Sequence, residues 1–212
     1  MSASLPPGLM GITDPRWGDP VQQGRELAQA GCRCVQLRAK SWSMKRLENA
    51  AHQLLLSLRQ TQTLLIINDH IDIAKRVGAD GVHLGQDDMG CHEARLRLGP
   101  NSVIGVSTHN LSEIDKAIAD GANYVGFGPV FPTDTKTDTH LVQGVQQLRD
   151  AVAQSSIPVI AIGGITVANV QQVQAAGAFG WAVISDLFEN GDPSAIVEKF
   201  SQSALSFRGT SE

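Results

Sequence analysis

Four short stretches of this chain repeat one phrase: GCRCV (31–35), GADGV (78–82), GANYV (121–125) and GAFGW (177–181). In each, a glycine closes a helical pattern and a small residue follows it, just before an apolar run. Glycine there suits a left-handed helix ending, and the small neighbour lets helix and strand pack closely. A phrase that hands a helix over to a strand four times commits the chain to alternating helices and strands. The apolar, β-rich runs number eight: GLMGIT (8–13), CVQLRA (34–39), TLLIIN (63–68), GVHLG (81–85), VIGVS (103–107), YVGFGPV (124–130), PVIAIGG (158–164) and GWAVIS (180–185). The phrase introduces the second, fourth, sixth and eighth runs and never the odd ones.

Helical patterns lie between the runs. Leu47, Ala50, Ala51, Leu54 and Leu58 form one stripe, and Leu111, Ile114, Ala117 and Ile118 another. Asn110 with Glu113 three residues on is a capping-box arrangement, and Ser43 and Thr166 are placed as N-caps. Strands without polar alternation belong in a parallel sheet covered on both faces. Eight such units predict an α/β fold: one closed (β/α)8 TIM barrel spanning 1–212 as a single domain. A repeat that skips alternate units suits a barrel whose interior layers are filled by alternate strands. The open doubly wound sheet is the rival, but GITDPRWG supplies no GxGxxG after the first strand.

Composition narrows the function class. A net charge of −4 and a pI near 5.8 argue against a nucleic-acid surface. No apolar run approaches the roughly 20 residues a bilayer span needs, and MSASLPPGLMGITD does not read as a signal peptide. Three cysteines without a CxxC, Cys32, Cys34 and Cys91, predict reduced thiols in a cytoplasmic protein. Cys32 and Cys34, two apart, are expected to face the same way and to serve packing. Trp17, Trp42 and Trp181 are likewise read as packing, although Trp181 is bulky for an even-numbered strand.

In a barrel, active sites lie where the C-terminal ends of the strands meet. Strand two ends there in Gln36, Arg38 and Lys40, and strand three in Asn68 and Asp69. Strand four brings His83, Gln86, Asp87 and Asp88, and strand five Ser107, Thr108 and His109. Strand six runs into Thr133, Thr135 and Lys136, strand seven ends in Gly163-Gly164, and strand eight in Ser185. Asp69 and Asp88 thus fall on neighbouring strand ends beside Arg38, Lys40 and Lys136. Two hard carboxylates can hold Mg²⁺, whose remaining oxygens come from water and phosphate, and the cations would neutralise a polyphosphate. The bland alternatives are plain. Asp69 could simply cap the helix after it, His83 could be a satisfied core histidine, and His109 a surface residue.

These stretches resemble the thiamine phosphate synthase family: VQLRAK (35–40), INDHIDIAKRVGADGVHLGQDD (67–88), IGVSTHN (104–110), GFGPVFPTDTK (126–136), IPVIAIGGI (157–165) and AVIS (182–185). They cover nearly the whole chain in the family's order. The resemblance implies that a hydroxymethylpyrimidine diphosphate and a thiazole phosphate are joined, with Mg²⁺, to give thiamine phosphate and pyrophosphate. It implies that Gln36, Arg38, Lys40, Asn68, Ser107 and Lys136 bind the pyrimidine diphosphate, with Arg38, Lys40, Ser107 and Lys136 taking the catalytic part. Asp69 and Asp88 would hold the metal, and Thr133, Thr135, Gly164, Ile184 and Ser185 would receive the thiazole phosphate. The family's route is thought to be dissociative. That fits a chain showing no GxSxG and no Cys–His pair, because the thiazole nitrogen needs no base. TDTHLVQG (137–144) departs from the family's pattern. Two other functions compete: a thiazole tautomerase of the same fold, needing neither metal nor diphosphate, and a non-catalytic phosphate-binding barrel.

Overall fold

The computed structural model describes residues 4–133, 141–189 and 191–208, the last five of these by backbone alone. Strands and helices alternate as β1 (Gly8–Ile12), α1 (Pro20–Gln29), β2 (Cys34–Leu37), α2 (Met44–Leu58), β3 (Leu64–Asn68), α3 (Ile71–Val77), β4 (Gly81–Leu84) and α4 (Cys91–Leu98). They continue as β5 (Val103–Thr108), α5 (Leu111–Ala119), β6 (Tyr124–Phe127), α6 (Gly144–Gln154), β7 (Val159–Ile162), α7 (Val170–Ala175), β8 (Gly180–Val183), α8 (Ser185–Phe188) and α9 (Pro193–Arg208). Every strand pairs in parallel with its neighbours in chain order, and β1 pairs with β8 to close the expected barrel, Gly8 opposite Gly180.

The repeated phrase is a helix-ending device. Gly31, Gly78, Gly121 and Gly177 have φ of +95°, +75°, +87° and +85°, a region glycine enters without a Cβ penalty. In each case the residue after the glycine donates its N–H five residues back: Cys32 to Leu27, Ala79 to Ala74, Ala122 to Ala117 and Ala178 to Val173. This Schellman geometry satisfies a carbonyl the helix would otherwise leave open. Asn110 and Glu113 form the expected box, Glu113 N donating to Asn110 Oδ1 at 2.9 Å, while Ser43 Oγ accepts from Arg46 N.

Period-two alternation sorts the strands into two cores. Val35, Leu37, Leu65, Ile67 and Val125 face outward against Leu27, Leu47, Leu54 and Leu148 of the helices. Met10, Ile12, Cys34, Ile66, Val103, Tyr124, Ile160 and Ala182 fill the interior. Burying one such aliphatic side chain stabilises by about 1.5–3 kcal/mol. Inside, glycines make room for one large ring. A Cβ on Gly105 would run into the ring of Tyr124, and one on Gly81 into the backbone of Val103. Tyr124 therefore lies across the barrel with no exposed surface.

Several expectations need correction. Cys32 and Cys34 do not face the same way. Residue 32 still belongs to the turn, so strand alternation does not reach it, and it joins the outer core while Cys34 joins the inner. All three cysteines are free and buried. Thr166 is no side-chain cap; α7 starts later, with Asn169 at its N-cap. Leu111 is left exposed at the start of its stripe. The sixth run stops at Phe127, not residue 130, where Pro129 has no N–H for a ladder. Ser185 opens α8 and does not end a strand. Trp181 points outward and packs on Phe200, ring centroids 6.3 Å apart, which is how an even strand accommodates it. Among the described residues no helix is long and apolar enough to cross a membrane.

Candidate active site

One cavity of about 600 Å³ opens at the C-terminal rim, within the usual range for small-molecule sites. Gln36, Arg38, Lys40, Asn68, Asp69, Asp88, Ser107, Thr133, Gly164, Ile184 and Ser185 all line it. Eleven expected residues, drawn from seven strand ends, thus line one cavity. Thr135 and Lys136 lie outside the described residues.

The acidic side is built by a backbone turn. Asp69 follows β3 with φ of +63°, the left-handed region, where short polar residues fare better than other side chains. Its N–H donates to His83 O at 2.8 Å, which ties it to β4. His70, not Asp69, occupies the N-cap position of α3, so the capping explanation of Asp69 fails. Freed from that task, its carboxyl shares a hydrogen bond with Asp88. Asp88 is fixed in turn by Gly85, whose N–H donates to its Oδ2 at 2.7 Å. Burial, then the bond and negative charge of Asp88, push Asp69 up to about 6, against the opposing pull of Lys40 and Arg38. A buried carboxyl raised by a neighbouring carboxylate marks a site short of positive charge. Among the described residues no group of three His, Cys, Asp or Glu side chains could hold a metal ion. A cation here would take two protein oxygens and draw the rest from water and substrate, as Mg²⁺ does.

The cations approach from β2. Lys40 Nζ stands 3.8 Å from Asp69 Oδ2 and is more than half exposed. Arg38 is largely buried and pairs through Nη1 with Asp14 Oδ2 at 3.1 Å. Deeper in the cavity, Gln36 Nε2 meets Met10 Sδ at 3.7 Å. A polar chain forms the floor: Tyr124 Oη lies 2.9 Å from His83 Nδ1, and His83 Nε2 lies 2.9 Å from Ser107 Oγ. Burial raises the Tyr124 phenol well above its ordinary value, so it stays protonated. If Tyr124 donates to Nδ1, His83 carries its proton on Nε2 and donates to Ser107.

The opposite side is mostly backbone. Val130 N donates to Ile162 O at 2.9 Å and Phe131 N to Gly163 O at 3.0 Å, which lays the segment after β6 along the end of β7. Gly164 has φ of +62°, and a Cβ on it would strike Pro132 O and stand 2.8 Å from Phe131 Cβ. Asn169 Nδ2 holds Gly164 O at 2.8 Å. Ile184 and Ser185 complete this wall at the start of α8.

Some lining residues carried no site role in the sequence. His83 is the satisfied, buried histidine of the bland reading, bonded at both ring nitrogens, and it also lines the cavity. His109 reaches the cavity too, its Nδ1 3.0 Å from Glu113 Oε2. For His83 the available signal was spacing, since Gly81 and His83 are two apart on one strand and so face one way.

A family model described as "Thiamine monophosphate synthase" matches residues 9–187. A "Thiamine-phosphate synthase" of Chlorobium phaeovibrioides is 43% identical over 192 residues, covering 91% of each chain. One from Bacillus velezensis is 42% identical over 188 residues, 87% of this chain and 84% of that one. A solved structure of a thiamine phosphate pyrophosphorylase from Pyrococcus furiosus superposes with a TM-score of 0.87 at 35% identity, over 94% of this chain and 96% of that chain.

Proposed function

This chain belongs to the thiamine monophosphate synthase family, and we propose on that premise how its cavity divides between two substrates. The enzyme is a transferase that makes thiamine phosphate. The pyrimidine diphosphate takes the side-chain-rich half, with Gln36, Asn68 and Ser107 on the ring end and Arg38, Lys40 and Lys136 on the diphosphate. The thiazole phosphate takes the backbone-rich half, between Thr133, Thr135, Gly164, Ile184 and Ser185. What carries this reading is the juxtaposition of the neighbouring Asp69 and Asp88 carboxyls with Lys40 and Arg38 on one side of a single cavity.

Asp69 and Asp88 would hold Mg²⁺, which when bound supplies positive charge to a departing pyrophosphate. The remaining work belongs to the chain. The bond between the pyrimidine's methylene carbon and the diphosphate oxygen breaks, and its electron pair leaves with pyrophosphate. The aminopyrimidine ring stabilises the cation left behind. The thiazole nitrogen, which carries a lone pair and no proton, then forms the new C–N bond. No proton changes hands, so no general base is needed, and Ser107 and His83 act by orientation. Preorganised Arg38 and Lys40 stabilise the growing charge without reorganising. We place the reaction in the cytoplasm, which three buried, free thiols support.

The experiment is a product assay with both substrates and Mg²⁺, repeated with the unphosphorylated thiazole alcohol. The alcohol is expected to lose at least about 10²-fold in kcat/KM, because it cannot collect the phosphate's binding energy. Equal kcat/KM for the two would remove the phosphate from this wall.

A further inference from the structure

Arg38 reaches the cavity from a frame that the site residues above do not include. Asp14 sits just past β1 and is only 2% exposed. Its backbone is clamped by the buried Gln23: Asp14 N donates to Gln23 Oε1 at 2.9 Å, and Gln23 Nε2 donates to Asp14 O at 3.0 Å. Its carboxylate is divided between two guanidiniums. Oδ1 accepts from Arg16 N at 2.9 Å and Nε at 3.0 Å, while Oδ2 accepts from Arg16 Nη2 at 2.8 Å and Arg38 Nη1 at 3.1 Å. Thr13, beside it and fully buried, takes the backbone of the same arginine: its Oγ1 accepts from Arg38 N at 3.1 Å and donates to Arg38 O at 3.3 Å. Two consecutive residues therefore fix both ends of Arg38, a side chain with many rotatable bonds that still lines the cavity.

We propose that Asp14 is a positioning residue for the reaction: its carboxylate, itself immobilised by Gln23 and Arg16, sets the pose in which Arg38 meets the diphosphate. The proposal rests on the reading of Arg38 as a diphosphate ligand. A guanidinium held on one edge keeps its other N–H groups aimed into the cavity, so binding does not have to order it. The charge arithmetic also favours the arrangement, since one carboxylate between two guanidiniums leaves the cluster positive. Burial works to raise the Asp14 carboxyl, but hydrogen bonds from Arg16 and the charges of Arg16 and Arg38 hold it below the ordinary range. The alternative is a loop staple, because Asp14 also caps the short 3-10 turn Pro15–Trp17.

Calorimetric titration of inorganic pyrophosphate with Mg²⁺ separates these for wild type, Asp14→Asn, Arg38→Met and the double variant. Asparagine keeps an acceptor for the Arg16 N–H, so the turn is retained. Asp14→Asn is expected to weaken binding by roughly 10- to 10²-fold, on the scale of misplacing one preorganised contact. In the double variant the loss should equal that of Arg38→Met alone, because Asp14 acts through Arg38. In turnover, KM for the pyrimidine diphosphate should rise while KM for the thiazole phosphate holds, a split that general loosening would not give. Wild-type affinity in Asp14→Asn, or losses that simply add in the double variant, overturn the proposal. Unchanged binding in Arg38→Met would instead overturn the reading of Arg38, and the proposal with it. Should Asp14→Asn fail to fold, nitrogen NMR of the wild-type Arg38 guanidinium decides: separate Nη signals are expected without ligand, and freely averaged ones overturn it.

Discussion

The two halves of the cavity are made of different material. From β2 to β5 the wall is side chains: Arg38, Lys40, Asp69, Asp88 and Ser107, several held by a further residue behind them. From β6 to β8 it is backbone, glycine and aliphatic side chains, with the segment after β6 zipped onto the end of β7. The difference matches the substrates proposed for them. A diphosphate that must leave accumulates charge in the transition state, and preorganised cations and a metal would stabilise that charge. A phosphate that only anchors its substrate keeps the same charge throughout, and fixed N–H groups serve for that.

The largest expected effect breaks the charged half. Asp88→Ala and Asp69→Asn should each lower turnover by about 10³-fold and sharply raise the Mg²⁺ requirement. Asparagine is the right choice at 69 because it tolerates the φ of +63° that alanine would strain. Turnover across a Mg²⁺ series, with circular dichroism to establish folding, checks it. Near-normal activity at low Mg²⁺ would sink the assignment for that residue. Next comes Lys136→Ala, expected to lower kcat by roughly 10²-fold as one lost charge contact. If KM rises while kcat holds, the lysine belongs with the anchoring half instead.

The smallest effect is on pH. Asp69 is raised from 3.8 to about 6, so without metal the folded state binds its proton more tightly than the unfolded chain does. On this group's account the metal-free protein loses stability as pH rises from about 4 through 6. On the proposed assignment Mg²⁺ would displace that proton, so its stabilising shift in Tm should be clear at pH 7.5 and shrink at pH 5. Melting curves with and without Mg²⁺ at both values test this, and a shift independent of pH would separate the metal from Asp69. The backbone half holds no such titrating pair among its described residues, so the contrast is specific.

The same contrast explains what could be read from the sequence. Strand order and the barrel followed from the repeated phrase, because left-handed helix endings demand glycine at fixed places. The charged wall was visible because its chemistry sits in side chains at strand ends. The anchoring wall was less visible in that way: strand position put Gly164 at the rim, but it and Ile184 carry no chemistry of their own, and only the family resemblance gave them a role. Asp14 carried no site expectation, since an acid before PRWG reads as a turn residue, which it also is. His83 was ambiguous because a histidine inside an apolar strand looks alike whether it is satisfied by the core or by the floor of a site.

The pairing of Gly8 with Gly180 has a consequence for how the site comes into being. The barrel's first strand waits for its eighth before either has its full set of neighbours. Such long-range pairing is slow, because loop closure must precede the contacts that reward it. Until then β1 and β8 offer bare edges to other chains. Ser185, at the turn after β8, and the Thr13–Asp14 frame, just past β1, stand on either side of that seam. Closing that seam is what brings the two sides of the cavity into one ring, so a chain lacking β8 is expected to lack the complete pocket.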